Sequence, residues 1–186
     1  GLTGTSLTFS GLIHNPGNSN ALNTGNYGDR LITSANTTVQ FSASAGAIWD
    51  TYDGNNDAGT DNWEWGVAQL QSNGTNTGAQ FDLSFSSDPG FGVILESFDL
   101  VDYAGFATGH TVRWELWSGL PSSGSLLAGN TETIAANSIF SVFTNFSGDA
   151  NSLTLRLIHL SGDGTDLAID NIAFQAVPEP GSAILL

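Results

Sequence analysis

Residues Leu167 to Leu186 read LAIDNIAFQAVPEPGSAILL, and this stretch decides how the rest of the chain is interpreted. Its first part predicts a strand, because the side chains alternate between two faces. One face carries Ala168, Asp170, Ile172 and Phe174. The strand is predicted to end at Pro178, since proline donates no hydrogen bond to a β-ladder. A short apolar tail follows, 183–186.

Alternation of the same kind recurs throughout the chain. Thr111 to Trp117 predicts a strand with three side chains inward and three outward. The inward residues are Val112, Trp114 and Leu116, and the outward ones are Arg113, Glu115 and Trp117. Phe91 to Tyr103 predicts a longer strand that is broken near Glu96 and Ser97, where the apolar side chains change parity.

About ten such strands follow one another at a spacing of about 8–12 residues, separated by polar, Gly-rich turns. No stretch shows the period of a helix. The sequence therefore predicts an all-β protein, an antiparallel jelly-roll-like β-sandwich. We expect a single domain over residues 1–176, followed by a separate tail, 177–186.

The composition restricts the partners. Charged residues make up 11% of the chain, its net charge is −15, and it has three Arg and no Lys. Such a surface repels nucleic acid, so we expect no nucleic-acid partner, and it attracts divalent cations. The chain has no Cys, which rules out disulfides and thiolate metal sites.

The run Val177, Pro178, Glu179 and Pro180, placed after a strand and before an apolar tail, resembles the C-terminal sorting signal of the PEP-CTERM family of exported bacterial proteins. The alternative is a simple turn in a tail. Other short segments of the sequence look like parts of the jelly-roll domains that often precede that signal. They are Tyr27-Gly28-Asp29-Arg30, Ser87-Asp88-Pro89-Gly90-Phe91, Glu96-Ser97-Phe98-Asp99-Leu100 and Ala168-Ile169-Asp170-Asn171-Ile172.

The resemblance implies an exported protein at the cell surface or outside the cell, and an exosortase-type processing enzyme as a partner. In the family the signal continues into a membrane-spanning helix. Here six residues follow Pro180, fewer than the roughly 20 that a span needs, so we expect a processed or incomplete tail.

An acidic loop predicts a calcium site. Oxygen-bearing side chains stand at positions 1, 3, 5, 9 and 12 of the loop that starts at residue 53, which is the EF-hand spacing. They are Asp53, Asn55, Asp57, Asp61 and Glu64. Position 6 is Ala58 where the sharp turn prefers Gly, and no helix is predicted on either side. The alternative is a solvated acidic turn.

A second cation site is predicted around Asp170. Its predicted inward position is costly for a lone carboxylate, which must be paired or metal-bound. The further candidates are Asp29, Asp163 and Asp166. The resemblance to carbohydrate-binding jelly rolls suggests a structural calcium ion beside such an Asp in the last strand. A salt bridge to Arg30, Arg113 or Arg156, or hydrogen bonds from backbone N–H groups, are the alternatives.

Exposed aromatic rings are the candidate sugar contacts. Trp63 and Trp65 share one strand face, and Trp117 has outward parity, which makes it the best single candidate for stacking on a sugar ring. Core packing is the commoner fate of Trp, and Trp114 is predicted to be core.

Catalytic motifs are not evident. His14, His110 and His159 stand far apart in the sequence, and no spacing singles out a pair of carboxylates for glycoside hydrolysis. We therefore expect no enzyme.

Three functions fit these observations. The leading one is a non-enzymatic structural protein, a self-assembling filament or matrix subunit joined by exchange of terminal strands, with calcium-stabilised loops. The alternative is a carbohydrate-binding or adhesion module that binds extracellular polysaccharide. The second alternative is a secreted glycoside hydrolase.

Overall fold

The computed structural model describes residues 5–7, 36–45, 47–52, 67–72, 77–102, 109–144, 146, 151–162 and 167–179, and the fold below is that of these residues. Their regular secondary structure consists of eleven β-strands in two antiparallel sheets. The predicted fold class, an antiparallel jelly-roll-like β-sandwich, is confirmed. No helix among the described residues is long and apolar enough to cross a membrane.

Sheet one contains six strands. In chain order they are β1 (Thr5–Leu7), β3 (Ala47–Tyr52), β4 (Val67–Ser72), β6 (Phe91–Asp102), β9 (Ile139–Phe143) and β11 (Leu167–Pro178). Their spatial order is β3-β4-β11-β6-β9, and β1 also pairs with β11, with Leu7 opposite Ile172. The N-terminal strand thus completes the sheet of its own chain. Exchange of this strand between copies stays a prediction.

Sheet two contains the other five strands. In chain order they are β2 (Thr37–Ala43), β5 (Gln80–Ser87), β7 (His110–Ser118), β8 (Ser125–Ile134) and β10 (Ser152–Ser161). The spatial order is β2-β5-β10-β7-β8, so β10 is the central strand and β8 is an edge. Strands that are distant in sequence are therefore neighbours in space, as in a jelly roll.

The core lies between the two sheets and is built from the alternating residues of the central strands. The inward residues of β5 and β10 are fully buried; they are Phe81, Leu83, Phe85, Leu153, Leu155 and Leu157. Aromatic contacts join the sheets, with ring centroids 5.1 Å apart for Phe85 and Phe174 and 5.9 Å apart for Phe98 and Trp114. Burying each such side chain stabilises the fold by about 1.5–3 kcal/mol.

Two β-bulges lie opposite each other in the central pair of sheet one. Strand β11 has one extra residue between Asp170 and Ala173, where Asn171 adopts a φ of 48°. Strand β6 has one extra residue between Leu95 and Ser97, so the two insertions cancel and the register is restored. The break that the sequence predicted near Glu96 and Ser97 is the second bulge.

The first bulge corrects the prediction for Asp170. Leu167 and Ile169 belong to the core before the bulge, and Ile172 and Phe174 belong to it afterwards. The core-facing parity therefore changes at Asn171, which the simple alternation missed. Asp170 is buried, as predicted, but lies on the face of sheet one that points away from the core, opposite Asp99.

The sheet continues into the predicted sorting signal. Strand β11 ends at Pro178, as expected, with Val177 opposite Gly92. The next amide, of Glu179, donates a hydrogen bond to the carbonyl oxygen of Gly90 (2.9 Å). Pro180 lies outside the described residues, and a sorting function for this segment stays a prediction.

Candidate functional site

Most of the predicted site residues lie outside the described part of the chain. These are the loop candidates Asp53, Asn55, Asp57, Asp61 and Glu64, the candidates Asp29, Asp163 and Asp166, and the aromatic candidates Trp63 and Trp65. Their roles stay predictions. Asp170 and Trp117 are described, and Trp117 leads to the best-defined polar surface of the described residues.

That surface is the outward face of sheet two, which we name the polar face. Register places side chains from five strands in rows across it, because residues directly opposite each other in antiparallel strands share a face. One row is Gln40, Ser84, Thr154, Trp117 and Leu126, and the next is Ser42, Asp82, Arg156, Glu115 and Gly129. Gln80, Arg113 and Thr131 belong to a third row with Ile158.

Trp117 is half-buried and held in place by its own strand. Its indole Nε1 donates a hydrogen bond to Glu115 Oε2 (3.0 Å), and Arg113 Nε lies 3.0 Å from Glu115 Oε1. Residues i, i+2 and i+4 of a strand share a face, so β7 itself aligns these three side chains. Glu115 thus uses one oxygen to orient an aromatic ring and the other to hold an arginine.

Beside this set, on the central strand, Arg156 forms a bidentate pair with Asp82 of β5. Arg156 Nε donates to Asp82 Oδ1 and Nη2 donates to Oδ2, both at 2.7 Å. These hydrogen bonds raise the pKa of Arg156, an effect that burial opposes and that the charges of Asp82 and Glu115 reinforce. Arg156 is therefore charged at any physiological pH.

The polar face is most buried along its central strand. Thr154 and Ile158 of β10 are buried although their side chains point away from the core, while Gln40 on the edge strand β2 is exposed. The Thr154 hydroxyl hydrogen-bonds the hydroxyl of Ser84 (3.0 Å). The face therefore offers hydroxyl, amide, carboxylate and guanidinium groups on one surface.

A groove of about 450 Å³ lies at the β8 side of this face. It is lined by Arg113, Glu115, Leu126 and Thr131, among others. Gly129 also lines it, and a Cβ at this position would lie 2.8 Å from the carbonyl oxygen of Trp114. Glycine is thus required here by the close approach of two strands.

Charge is distributed unevenly. The chain carries −15 overall with only three basic residues, and two of these, Arg113 and Arg156, lie on the polar face. Each one faces a carboxylate of its own, so this surface is close to neutral in a strongly acidic protein. A neutral, hydrogen-bonding surface suits an uncharged ligand better than a cation or a polyanion.

The described residues around Asp170 do not form a metal site. Among the residues that the structure describes, no group of three or more His, Asp or Glu side chains could hold a metal ion. Asp170 pairs in register with Asp99, which accepts a hydrogen bond from Asn171 Nδ2 (2.8 Å). Calcium at this position or in the acidic loop stays a prediction.

A second polar group, which the sequence did not reveal, lies inside the sandwich; we name it the buried trio. His110 Nδ1 is 3.1 Å from His159 Nε2, and His110 Nε2 is 3.5 Å from Asp102 Oδ2. All three side chains are buried, and the amide of Asn137 donates to Asp102 Oδ1 (3.3 Å). The trio ties the end of β6 in sheet one to β7 and β10 in sheet two. It is walled off from substrates and serves the fold.

Comparison with known proteins bears on the fold. No protein-family model matches the chain, and no curated protein does. Among solved structures, the chain is similar to the CBM22-1 xylan-binding domain of Xyn10C from Paenibacillus barcinonensis, with 12% identity over 75% of this chain and 86% of that one and a TM-score of 0.51.

Two further similarities are weaker. One is to the xylan-binding domain from CBM 22, with 12% identity over 92% of each chain and a TM-score of 0.49. The other is to the family 32 carbohydrate-binding module of NanJ from C. perfringens, solved with galactose, with 13% identity over 73% of this chain and 93% of that one and a TM-score of 0.41. At 12% identity, the likeness to the CBM22-1 domain shows a shared β-sandwich fold alone.

Proposed function

We propose that this protein is a non-enzymatic carbohydrate-binding module that holds an extracellular polysaccharide on its polar face. This was the alternative that the sequence left beside a structural filament subunit. The observation that carries the proposal is the Trp117 indole, fixed by Glu115 within a field of hydrogen-bonding side chains. The fold is compatible with this role, since a solved domain that shares it is a xylan-binding domain.

The chemistry of the polar face matches that of a sugar. A pyranose ring has apolar C–H faces, which stack on an aromatic plane, and a rim of hydroxyl groups, which donate and accept hydrogen bonds. Trp117 supplies the plane, while Glu115, Arg156 and Gln40 supply charged and neutral partners. Because Trp117 and Glu115 are already oriented, binding loses little side-chain entropy.

The shape of the face also favours a polymer. The rows of polar side chains run across all five strands of sheet two, which at about 4.8 Å per strand gives a surface about 20 Å wide. The face is an open sheet surface, which suits an extended chain entering and leaving at its ends. A closed pocket, by contrast, would select a free monosaccharide.

Trp117→Ala tests the proposal. We expect the wild-type protein to bind at least one member of a panel of neutral plant and bacterial polysaccharides in affinity gel electrophoresis. The substitution should weaken that binding by about thirtyfold, the effect of losing a central aromatic contact worth about 2 kcal/mol.

Ile139→Ala is the matched control, since Ile139 is an exposed apolar residue on sheet one, 50% accessible. It should bind like the wild type. The proposal fails if no neutral polysaccharide is retained, or if Trp117→Ala binds as tightly as Ile139→Ala. Circular dichroism confirms that both variants remain folded.

The cellular setting is part of the same proposal. A module that binds extracellular polysaccharide needs to be outside the cell, and the predicted sorting signal at Val177 to Pro180 provides that address. Replacing Pro178 and Pro180 with Ala in the producing cell should change where the protein is found. Fractionation of cells and medium measures this, and an unchanged distribution contradicts the assignment of the signal.

A further inference from the structure

A second groove lies on the side of the sandwich where both sheets end. Its volume is about 520 Å³, and it runs between the edge strands β8 of sheet two and β9 of sheet one. Its lining includes Trp114, Asn130, Glu132, Phe140, Val142 and Phe143. They combine an apolar base with two polar side chains, the usual composition of a ligand site.

The two polar side chains, of Asn130 and Glu132, occupy positions where the alternation of the strand predicts apolar side chains. Asn130 is opposite Trp114 and Glu132 is opposite Val112, and both of these partners belong to the core. Opposite residues share a face, so β8 directs an amide and a carboxylate to the inner side of the sandwich. Asn130 is exposed and Glu132 is half-buried, so both remain accessible to a ligand, and departures from the strand pattern concentrate at functional sites.

Both polar side chains are held in place. Asn130 Nδ2 donates to Glu132 Oε1 (2.9 Å), and Trp114 Nε1 donates to the same oxygen (3.3 Å). Within the described part of the chain, Glu132 Oε2 is left to accept from a ligand. The exposed ring of Phe143, 66% accessible, and the half-buried ring of Phe140 lie on the β9 side of the groove.

We propose that this groove is a second sugar-binding subsite, which takes a further unit of the polysaccharide chain that the polar face holds. The proposal rests on the proposed function. An aromatic wall beside an anchored carboxylate and amide fits the C–H face and hydroxyl rim of one neutral sugar unit. An extended peptide would instead use the backbone edges of β8 and β9 and would gain little from Glu132 or Asn130.

The two subsites lie on either side of strand β8. Trp117 and Val112, the partner of Glu132, are five residues apart on β7, which corresponds to about 17 Å along the strand. Short oligosaccharides can therefore occupy one subsite only, and a longer chain can pass over the edge of the sheet near Gly129 to reach both. Affinity should accordingly rise with chain length.

Calorimetric titration with oligosaccharides of increasing length, prepared from the polysaccharide that the wild type binds best, tests this inference. The decisive variant is Glu132→Gln, which keeps Oε1 for Asn130 and Trp114 but replaces the charged acceptor. We expect it to bind the shortest oligosaccharides normally and to lose about tenfold affinity for the long ones. Trp117→Ala should weaken the short ones as well.

Glu96→Gln is the matched control, because Glu96 accepts a hydrogen bond from the Gln175 amide on sheet one. The inference is overturned if Glu132→Gln shows the same gain with chain length as Glu96→Gln. It is also overturned if an extended peptide binds and Glu132→Gln leaves both peptide and glycan affinities unchanged. If no oligosaccharide binds the wild type, both the proposed function and this inference fail. If Trp117→Ala weakens binding and Glu132→Gln does not, this inference fails and the proposed function stands.

Discussion

The polar face and the buried trio use the same kinds of side chain for opposite purposes. On the polar face, Asp82 and Arg156 are bonded to each other while both remain partly accessible. In the trio, Asp102 Oδ2 and His110 Nε2 lie 3.5 Å apart with almost no accessible surface. Solvent weakens the first contact and leaves its atoms within reach of a ligand, whereas burial makes the second essential to the fold and unreachable.

The largest effect should come from removing the carboxylate of the trio. Asp102→Ala leaves His110 buried without its acid partner and deprives the amide of Asn137 of its acceptor. We expect a loss of about 3–5 kcal/mol in the free energy of unfolding, measured by urea denaturation.

The milder Asp102→Asn, which keeps an oxygen for Asn137, should lose less. Polysaccharide binding by folded Asp102→Asn should match the wild type. A loss below about 1 kcal/mol for Asp102→Ala would show that burial does not separate the two regions as described.

A smaller loss of stability is expected at Gly129, where the polar face requires a residue without a side chain. Gly129→Ala places a Cβ against the carbonyl oxygen of Trp114, so β8 must move away from β7. Thermal unfolding should report a loss of about 2 kcal/mol, and sugar affinity should fall with it. Ile139→Ala, an exposed position on sheet one and outside this face, is the control and should change neither quantity.

Substitution of Glu115 should affect ligand binding by the polar face more than it affects the stability of the protein. Glu115→Ala releases the indole of Trp117 and the guanidinium of Arg113 together. We expect about tenfold weaker polysaccharide binding by calorimetry, since the ring is no longer fixed, with less than about 1 kcal/mol of change in unfolding. Undiminished affinity would mean that Trp117 is oriented by something else.

The smallest effect concerns the partly accessible ion pair of Asp82 and Arg156. Asp82→Ala should cost about 0.5 kcal/mol, and the difference from the wild type should shrink as salt is added. Alkali is a poor probe, because a raised pKa of Arg156 means that its contribution is present below the usual arginine range and is lost only as the pH rises beyond it. A salt titration of urea unfolding makes the measurement, and a difference that is insensitive to salt would contradict the view that solvent reaches the pair.

The sequence predicted this architecture wherever alternation was undisturbed. On β7 the strict pattern placed Trp114 in the core and Trp117 outside, and both positions are confirmed. The change in parity of the apolar side chains near Glu96 likewise predicted a break in the strand, which is the bulge of β6. On β11 the apolar residues masked the bulge at Asn171, because small or apolar side chains occupy both faces there, and the face of Asp170 was predicted wrongly.

The contacts between distant strands were beyond the reach of the sequence. Arg156 and Asp82 are brought together only because β5 and β10 are neighbours, and His110 meets His159 only because β7 adjoins β10. Strand order is a property of the whole fold, and nothing local in either segment encodes it. The groove between β8 and β9 depends in addition on the stacking of two separate sheets.

The paired bulges of β6 and β11 also constrain how this chain can vary in length. Removing Glu96 alone, or Asn171 alone, would shift one strand against the other and turn half of a central strand inside out. Removing both would leave every remaining ladder partner where it is. Related chains should therefore have either both of these residues or neither, although the two positions lie far apart in the sequence.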